Sequence, residues 1–455
     1  MDLFGSSGIR DVVDGKLTPE FCLAVSKAIG VFLPQTARVC IATDARVTRD
    51  VVKTAIITGL LHCGIDVMDF GILPTPALAL LTRKLGFDTG IMVTASHNPP
   101  EFNGIKLFNA DSLGYSMAQE ERIENIYFSN KFRASNWRSV GTLTVAQGVA
   151  EEYFKFIRRQ LPVANASHLK VVVDPGNGAA SNFASRFLQE LGYDVLAIND
   201  EPDGLFSNRS SEPNEHTLVK TIDFLREKDA DLAVCYDGDA DRVVFCDKDG
   251  FLGYNEMIAF ISRLVLKKSK SRKVATTVET GRLLDLALAD LGGEVIRGRV
   301  GDVNVAHLAR EHDAAIGVEQ VGVYIMPHLG YYPDSMYATA LLLSEIEEAS
   351  QIRETCRSWP ELFFGKSKIA CSNIIKQTVM DSMKDGFHVP QVKETNTLDG
   401  LRYEMDDSWL LVRPSGTEPA IRVIAEARSE EKMNRLLKEA ANQVRELVEL
   451  SEGNA

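Results

Sequence analysis

One pattern, repeated three times, limits the folds open to this chain more than any other feature. "RVCIATD" (38–44) reads as a buried strand, a helical stretch closes at "LLHCGIDVMDFG", and a second helix leads to the strand "TGIMVTAS". The same order returns from "LKVVVDPGNGAAS" (169–181) through "FLQELGYDVLAIND" to "DADLAVCYDGDAD". It returns again from "RKVATTVET" (272–280) through "LADLGGEVIRG" to "DAAIGVEQVG". Continuous apolar strands alternating with helices predict parallel sheets covered on both faces. The C-terminal part breaks the pattern. "KIACSNI", "GLRYEMD" and "SWLLVRPSGTEPAIRVIAEA" read as strands, and a helix capped by Ser429 carries the stripe Met433, Leu436, Leu437, Ala440, Val444 and Leu447. A helical segment around 340–358 leads into this part, which reads as α+β.

Composition narrows the function. The chain has 455 residues, is 45% hydrophobic and 25% charged, and carries a formal net charge of -13. That acidity argues against nucleic acid or an anionic membrane as the main partner. Seven cysteines without a CxxC pair argue against a disulfide framework and for a reducing, cytoplasmic setting. The opening "MDLFGSSGIRD" lacks the basic and apolar regions of a secretory signal, and no window reads as a membrane span.

The repeat places three stretches alike, just after the last strand of each unit: "TASHNPP", "DGDADR" and "GVEQVG". In open α/β sheets, ligands bind outside the carboxyl ends of the strands. Asp237, Asp239 and Asp241 alternate between two apolar strands, so in an extended segment they project to one side. Carboxylates this close repel strongly, and a divalent cation such as Mg²⁺ relieves the repulsion; a solvated acidic turn is the plainer alternative. An EF-hand is excluded, because its required glycine is Arg242 and its required glutamate is Lys248. "RPSGTEP" (413–419) offers the planar fork of Arg413, the hydroxyls of Ser415 and Thr417, and a turn at Gly416, with Arg422 nearby. It reads equally as a phosphate cradle or a surface hairpin. "FGSSGIR" (4–10), with Arg10, reads as a second such loop or as a flexible N-terminus. Ser96 lacks a G-x-S-x-G elbow, so an α/β-hydrolase reading is poor. With His97 and Lys106 close by, it suits phosphoryl transfer, or else merely caps a turn. "GKS" (365–367) lacks the earlier glycine of a P-loop, and "PGNGAAS" with Asp200 only partly matches a dinucleotide fingerprint.

Taken together and in order, "FGSSGIR", "TASHNPPEFNGIK", "DGDADR", "GDVNVA" and "RPSGTEPAIR" resemble the α-D-phosphohexomutases. The resemblance spans nearly the whole chain. It implies an α/β fold of three related α/β/α-type domains plus a C-terminal α+β domain around one central cleft. The corresponding divisions are 1–145 with the phosphoserine loop, 146–250 with the metal loop, 251–355 with the sugar loop and 356–455 with the phosphate loop. It implies a Mg²⁺-dependent mutase interconverting sugar 1- and 6-phosphates through phosphoserine and a bisphosphate, with a sugar bisphosphate as activator. Ser96 matches the phosphoryl carrier, and Asp237, Asp239 and Asp241 with the Ser96 phosphate match the Mg²⁺ ligands. Arg10, His97 and Lys106 match residues around the reacting phosphate, with acid/base roles for His97 and Lys106. Arg242, Gly301, Asp302, Glu319, Gln320, Arg413, Ser415, Gly416, Thr417 and Arg422 match substrate contacts. The expected partner is a small phosphosugar (glucosamine, mannose or glucose phosphate), bound by a monomer or homodimer.

The third loop departs from that pattern. Val321 and Val323 stand where the family commonly has Ser and His, so two hydrogen-bonding side chains are apolar here. Gln320, Tyr324, His328 and Asp334 are candidates to compensate. A pentose phosphate substrate, or an inactive sugar-phosphate binder, is the alternative reading.

Overall fold

The computed structural model describes residues 3–5, 8–161, 168–387, 389, 391–416 and 418–452. Thr417 lies outside the described residues, as do Ser6 and Ser7 of "FGSSGIR". The first sheet contains β1 (Ile9–Val12), β2 (Arg38–Thr43), β3 (Asp66–Ile72), β4 (Thr89–Val93), β5 (Phe102–Asn109) and β6 (Leu143–Val145), in the order β1-β5-β4-β2-β3-β6. The second contains β7 (Lys170–Asp174), β8 (Asp194–Ala197), β9 (Leu232–Tyr236), β10 (Val243–Asp247) and β11 (Gly250–Phe251), in the order β11-β10-β9-β7-β8. The third contains β12 (Lys273–Thr277), β13 (Glu294–Gly298), β14 (Ile316–Glu319) and β15 (Val323–Ile325), in the order β13-β12-β14-β15.

The predicted repeat is present in all three. A central strand (β2, β7, β12) has the unit's second strand parallel on one side and its third parallel on the other. The central strands are buried almost end to end, as sheets covered by crossover helices require. The sheets are not purely parallel, however. Beyond the third strand lies an antiparallel one, β5, β10 or β15. Apolar periodicity predicts burial but carries no strand direction, which is why the reversal was not read. The consequence is functional: each candidate loop is a connection between two buried antiparallel strands, anchored at both ends.

The N-terminal segment is ordered as β1, which pairs with β5 and sets Arg10 opposite Gly104. A Cβ on Gly104 would lie 2.4 Å from the Ile9 carbonyl oxygen, so only glycine admits that strand here. The helical segment expected around 340–358 is two helices, Ser335–Glu345 and Ser350–Arg357, and the first is almost wholly buried.

The fourth sheet is antiparallel, with β16 (Phe363–Ala370), β17 (Glu394–Asn396), β18 (Leu401–Glu404), β19 (Ser408–Pro414) and β20 (Ala420–Ala427) in the order β16-β20-β19-β18-β17. The helix Glu430–Glu452 covers it, burying Met433, Leu436, Ala440 and Val444, and the Ser429 hydroxyl accepts from the Lys432 amide. Its other face packs Trp409, Leu411 and Ile424 against Val278 of the third unit. Arg402 stacks 3.9 Å from the Trp409 ring and donates to the Thr280 carbonyl, while Arg282 pairs with Glu404 at 2.6 Å. These bonds dock the fourth unit on the third and bring the β19–β20 turn over the mouth of β12.

Candidate active site

Two hairpin-like loops from different units meet at the reactive end of the site. Ser96 follows β4 and adopts φ 51, a left-handed conformation that costs a non-glycine residue about 1 kcal/mol or more. Its amide donates to Thr94 Oγ1 at 2.8 Å, and its buried hydroxyl donates to Asp237 Oδ2 at 2.7 Å. The Asp237–Arg242 segment is a turn, not the extended run expected from the alternation. Ala240 at φ 58 bends it, and the turn gathers Asp237, Asp239 and Asp241 so that ligand oxygens lie within 4.8 Å of one another. The loops touch closely: a Cβ on Gly238 would sit 2.5 Å from the Ser96 carbonyl oxygen.

Lys106 reaches in from β5, donating to Asp239 Oδ2 at 2.7 Å and Asp241 Oδ2 at 2.6 Å. Thr75 adds its hydroxyl to Asp239 Oδ2 at 2.6 Å. Asp239 Oδ1 and Asp241 Oδ1 are buried with no hydrogen-bond partner among the described residues. Burial first, then Asp241 and Asp239, pushes the Asp237 carboxyl well above its usual range. Burial also opposes charge on Asp239, but Lys106 and Thr75 outweigh it and hold that carboxyl well below the usual range. Burial works against the Lys106 ammonium as well; Asp239 and Asp241 prevail and keep it charged. An all-oxygen donor set with two orphaned buried oxygens fits a hard divalent cation.

His97 Nδ1 lies 3.3 Å from Ser96 Oγ. The Arg242 guanidinium first, then burial, Arg10 and Lys106, hold its imidazole far below the ordinary range, so the ring is neutral. Arg10 donates to Asn98 Oδ1 at 3.2 Å, and its Nε is buried without a hydrogen-bond partner among the described residues.

A cavity of about 200 Å³ runs from this cluster to the β19–β20 turn. Arg10, His97, Asp241, Arg242, Gly301, Asp302, Glu319, Gln320, Arg413, Ser415, Gly416 and Arg422 all line it, so stretches far apart in sequence share one space. Gly301 and Asp302 open the helix Asp302–Glu311, and the Gly301 amide donates to Glu319 Oε1 at 3.0 Å. Burial first, then Asp302, pushes the Glu319 carboxyl up to about 7.

Of the four residues considered for compensating Val321 and Val323, Gln320 alone lines the cavity. Its Nε2 is committed to the Glu279 carbonyl at 2.9 Å. Tyr324 sits opposite Val318 with its ring in the core, since side chains alternate and Val323 faces the cavity. Asp334 caps the helix Ser335–Glu345 and accepts from Tyr153 at 2.7 Å, and His328 packs on Tyr337.

Several cavity residues carry no local motif. Glu279 accepts from Arg413 Nη1 at 2.9 Å and lies 3.5 Å from Lys366 Nζ, while Asp399 lies 3.2 Å from Arg413 Nη2. Lys366 belongs to the "GKS" stretch; no P-loop forms, but its place on β16 turns it into the cavity. The dinucleotide signal resolves structurally. Arg209 fills the end of β7, donating to the Asp174 and Tyr236 carbonyls, and Asp200 takes the Asn182 amide and the Ser185 hydroxyl.

The chain is matched along its length by four family descriptions of the phosphoglucomutase/phosphomannomutase type. Alpha/beta/alpha domain I covers residues 1–134, domain II 151–250, domain III 253–362 and the C-terminal domain 374–443. It is 40% identical over 449 residues to a protein of Pyrococcus horikoshii named "Probable phosphoglucosamine mutase", covering 98% of each chain. A protein of the same name from Methanopyrus kandleri is 37% identical over 448 residues, again covering 98% of each. Among solved structures, a phosphoglucomutase/phosphomannomutase family protein from Burkholderia thailandensis superposes with a TM-score of 0.86 at 25% identity, covering 98% of this chain and 97% of that one.

Proposed function

With the chain thus belonging to the phosphoglucomutase/phosphomannomutase family of isomerases, we propose that it interconverts the 1- and 6-phosphates of glucosamine through a phosphorylated Ser96. One observation carries this reading most directly. Ser96 Oγ lies 2.7 Å from Asp237 of the buried triad, and its neighbours His97 and Asp241 line one end of a cavity whose other end is lined by Lys366, Arg413 and Arg422. A sugar monophosphate fits with its phosphate on those cations and its free hydroxyl towards Ser96.

Ser96 gives its phosphoryl group to that hydroxyl, the P–O bond to Ser96 breaking as the new one forms. The resulting bisphosphate turns within the cavity, and Ser96 Oγ then takes the other phosphoryl group, restoring phosphoserine. The proton of the attacking hydroxyl passes to the departing Ser96 oxygen, and His97, neutral with Nδ1 3.3 Å from Oγ, is placed to relay it without resting as an imidazolium. Lys106, kept charged by two aspartates, serves as a fixed cation at the transferring group rather than as a base. Asp237, Asp239 and Asp241 with Ser96 would hold Mg²⁺. When bound, it supplies neutralisation of the phosphoryl oxygens.

The relatives' printed names support glucosamine as the sugar. So do the acidic side chains of Glu212 and Asp302 along the cavity, which suit an ammonium substituent, while Val321 and Val323 remove hydroxyl partners. The test is phosphorus NMR of enzyme, Mg²⁺ and a priming bisphosphate with glucosamine, mannose and glucose 6-phosphates. Faster conversion of glucosamine 6-phosphate is expected. No turnover of any of the three would overturn the proposal.

A further inference from the structure

We infer that Arg46 and Ser211 are positioning residues that register the Ser96 loop of the first unit against the aspartate loop of the second; the inference rests on the reading of Ser96 as phosphoryl carrier. Serine and triad come from different units, so their 2.7 Å contact is set by how the two units meet. A misplacement of about 1 Å between reacting groups costs on the order of 100-fold in rate. Something must fix the Ser96 loop on both sides.

Arg46 is fully buried and spends its guanidinium almost entirely on that loop. Nη2 donates to the Ser96 carbonyl at 2.9 Å and the Asn98 carbonyl at 2.6 Å. Nη1 donates to the Phe102 carbonyl at 2.9 Å and also to that of Pro99. Nε pairs with Asp44 Oδ2 at 3.0 Å. The same Asp44 oxygen accepts from Thr94 Oγ1 at 2.6 Å, and Thr94 Oγ1 accepts from the Ser96 amide at 2.8 Å. One ion pair therefore holds the Ser96 residue by its amide and its carbonyl, which sustains the strained φ. A planar fork of five N–H donors can address carbonyls on several sides at once; a lysine ammonium cannot.

The second unit closes the clasp. The Phe206 ring lies 5.1 Å from the Arg46 guanidinium carbon. Ser211 Oγ shares its single proton between the His97 carbonyl at 2.8 Å and the Asn98 carbonyl at 2.9 Å. Arg46 and Ser211 thus grip the same Asn98 carbonyl from opposite units. Neither side chain reaches the transferring group, so both act through Ser96 and His97.

The test compares Arg46→Lys and Ser211→Ala with wild type and with Ser96→Ala, measuring kcat and KM separately and the melting temperature of each. Expected are falls in kcat of about 100-fold for Arg46→Lys and about 10-fold for Ser211→Ala, with KM within about twofold. Ser211→Ala removes one hydroxyl and should keep its melting temperature. It decides the matter alone if Arg46→Lys does not fold. A kcat within twofold of wild type in Ser211→Ala, or a loss carried by KM, overturns the clasp. Turnover by Ser96→Ala would instead overturn the phosphoserine reading on which it rests.

Discussion

The two ends of the cavity solve opposite problems. At the Ser96 end the groups are sealed and interlocked: three aspartates, one lysine and one serine meet within hydrogen-bond distance, and every loop is tied at both ends to a buried strand. At the β19–β20 end the cations are matched by resident carboxylates, Arg413 by Glu279 and Asp399, Lys366 by Glu279, and Arg422 by Glu418 at 3.4 Å. The first arrangement suits groups whose positions must not change during transfer. The second suits a site that exchanges one anion for another, the resident carboxylates giving way to the phosphate of the proposed substrate. One rigid end and one exchangeable end suit the proposed bisphosphate, which turns between two orientations.

The sharpest way to break this contrast is to disturb each end alone. Asp237→Asn should lower kcat by about 1,000-fold or more and weaken Mg²⁺ binding measured by calorimetry, because charge at the transferring group is lost. Arg413→Ala should act on the other term, raising KM by roughly 10- to 100-fold with a smaller change in kcat, since a charge-assisted arginine–phosphate contact is worth about 1.5–3 kcal/mol. Similar kcat and KM effects from both variants would erase the distinction. Glu279→Gln sharpens it. With the resident carboxylate neutralised, inorganic phosphate should inhibit about two- to fivefold more strongly.

The smallest effect is on pH. Burial first, then Asp302, raises the Glu319 carboxyl from its ordinary 4.5 to about 7. A raised carboxyl binds its proton more tightly folded than unfolded. Its contribution to stability is full below about pH 4.5 and is lost as pH rises to about 7. The loss is on the order of 3 kcal/mol, at about 1.4 kcal/mol for each unit of the rise. Denaturant titrations of the ligand-free protein should show this fall, and Glu319→Gln should flatten it.

What could be read from the residues follows from where the chemistry is written. Ser96, His97 and the aspartates sit in contiguous stretches next to apolar strands, so local pattern marked them as candidates and the resemblance supplied their roles. Glu279, Arg46, Thr75 and Ser211 each come from separate elements and meet the site through tertiary contact, and no short pattern marks them. Lys366 carried a signal for the wrong reason: "GKS" is no phosphate loop, yet the strand register aims the lysine at the cavity. For Tyr324 the residues do hold the answer, because the two-residue alternation of a strand puts its side chain on the face away from that of Val323. The antiparallel fourth strand of each unit was not legible, since burial alone does not encode direction.

The central claim is that Ser96 carries the phosphoryl group. The most direct measurement is to incubate the protein with glucosamine 1,6-bisphosphate and Mg²⁺, digest it, and locate phosphate by mass spectrometry. One phosphoryl group on the peptide containing Ser96, discharged on adding glucosamine 6-phosphate, is the predicted result. Turnover with Ser96 unmodified, or phosphate carried at another residue, would contradict the account.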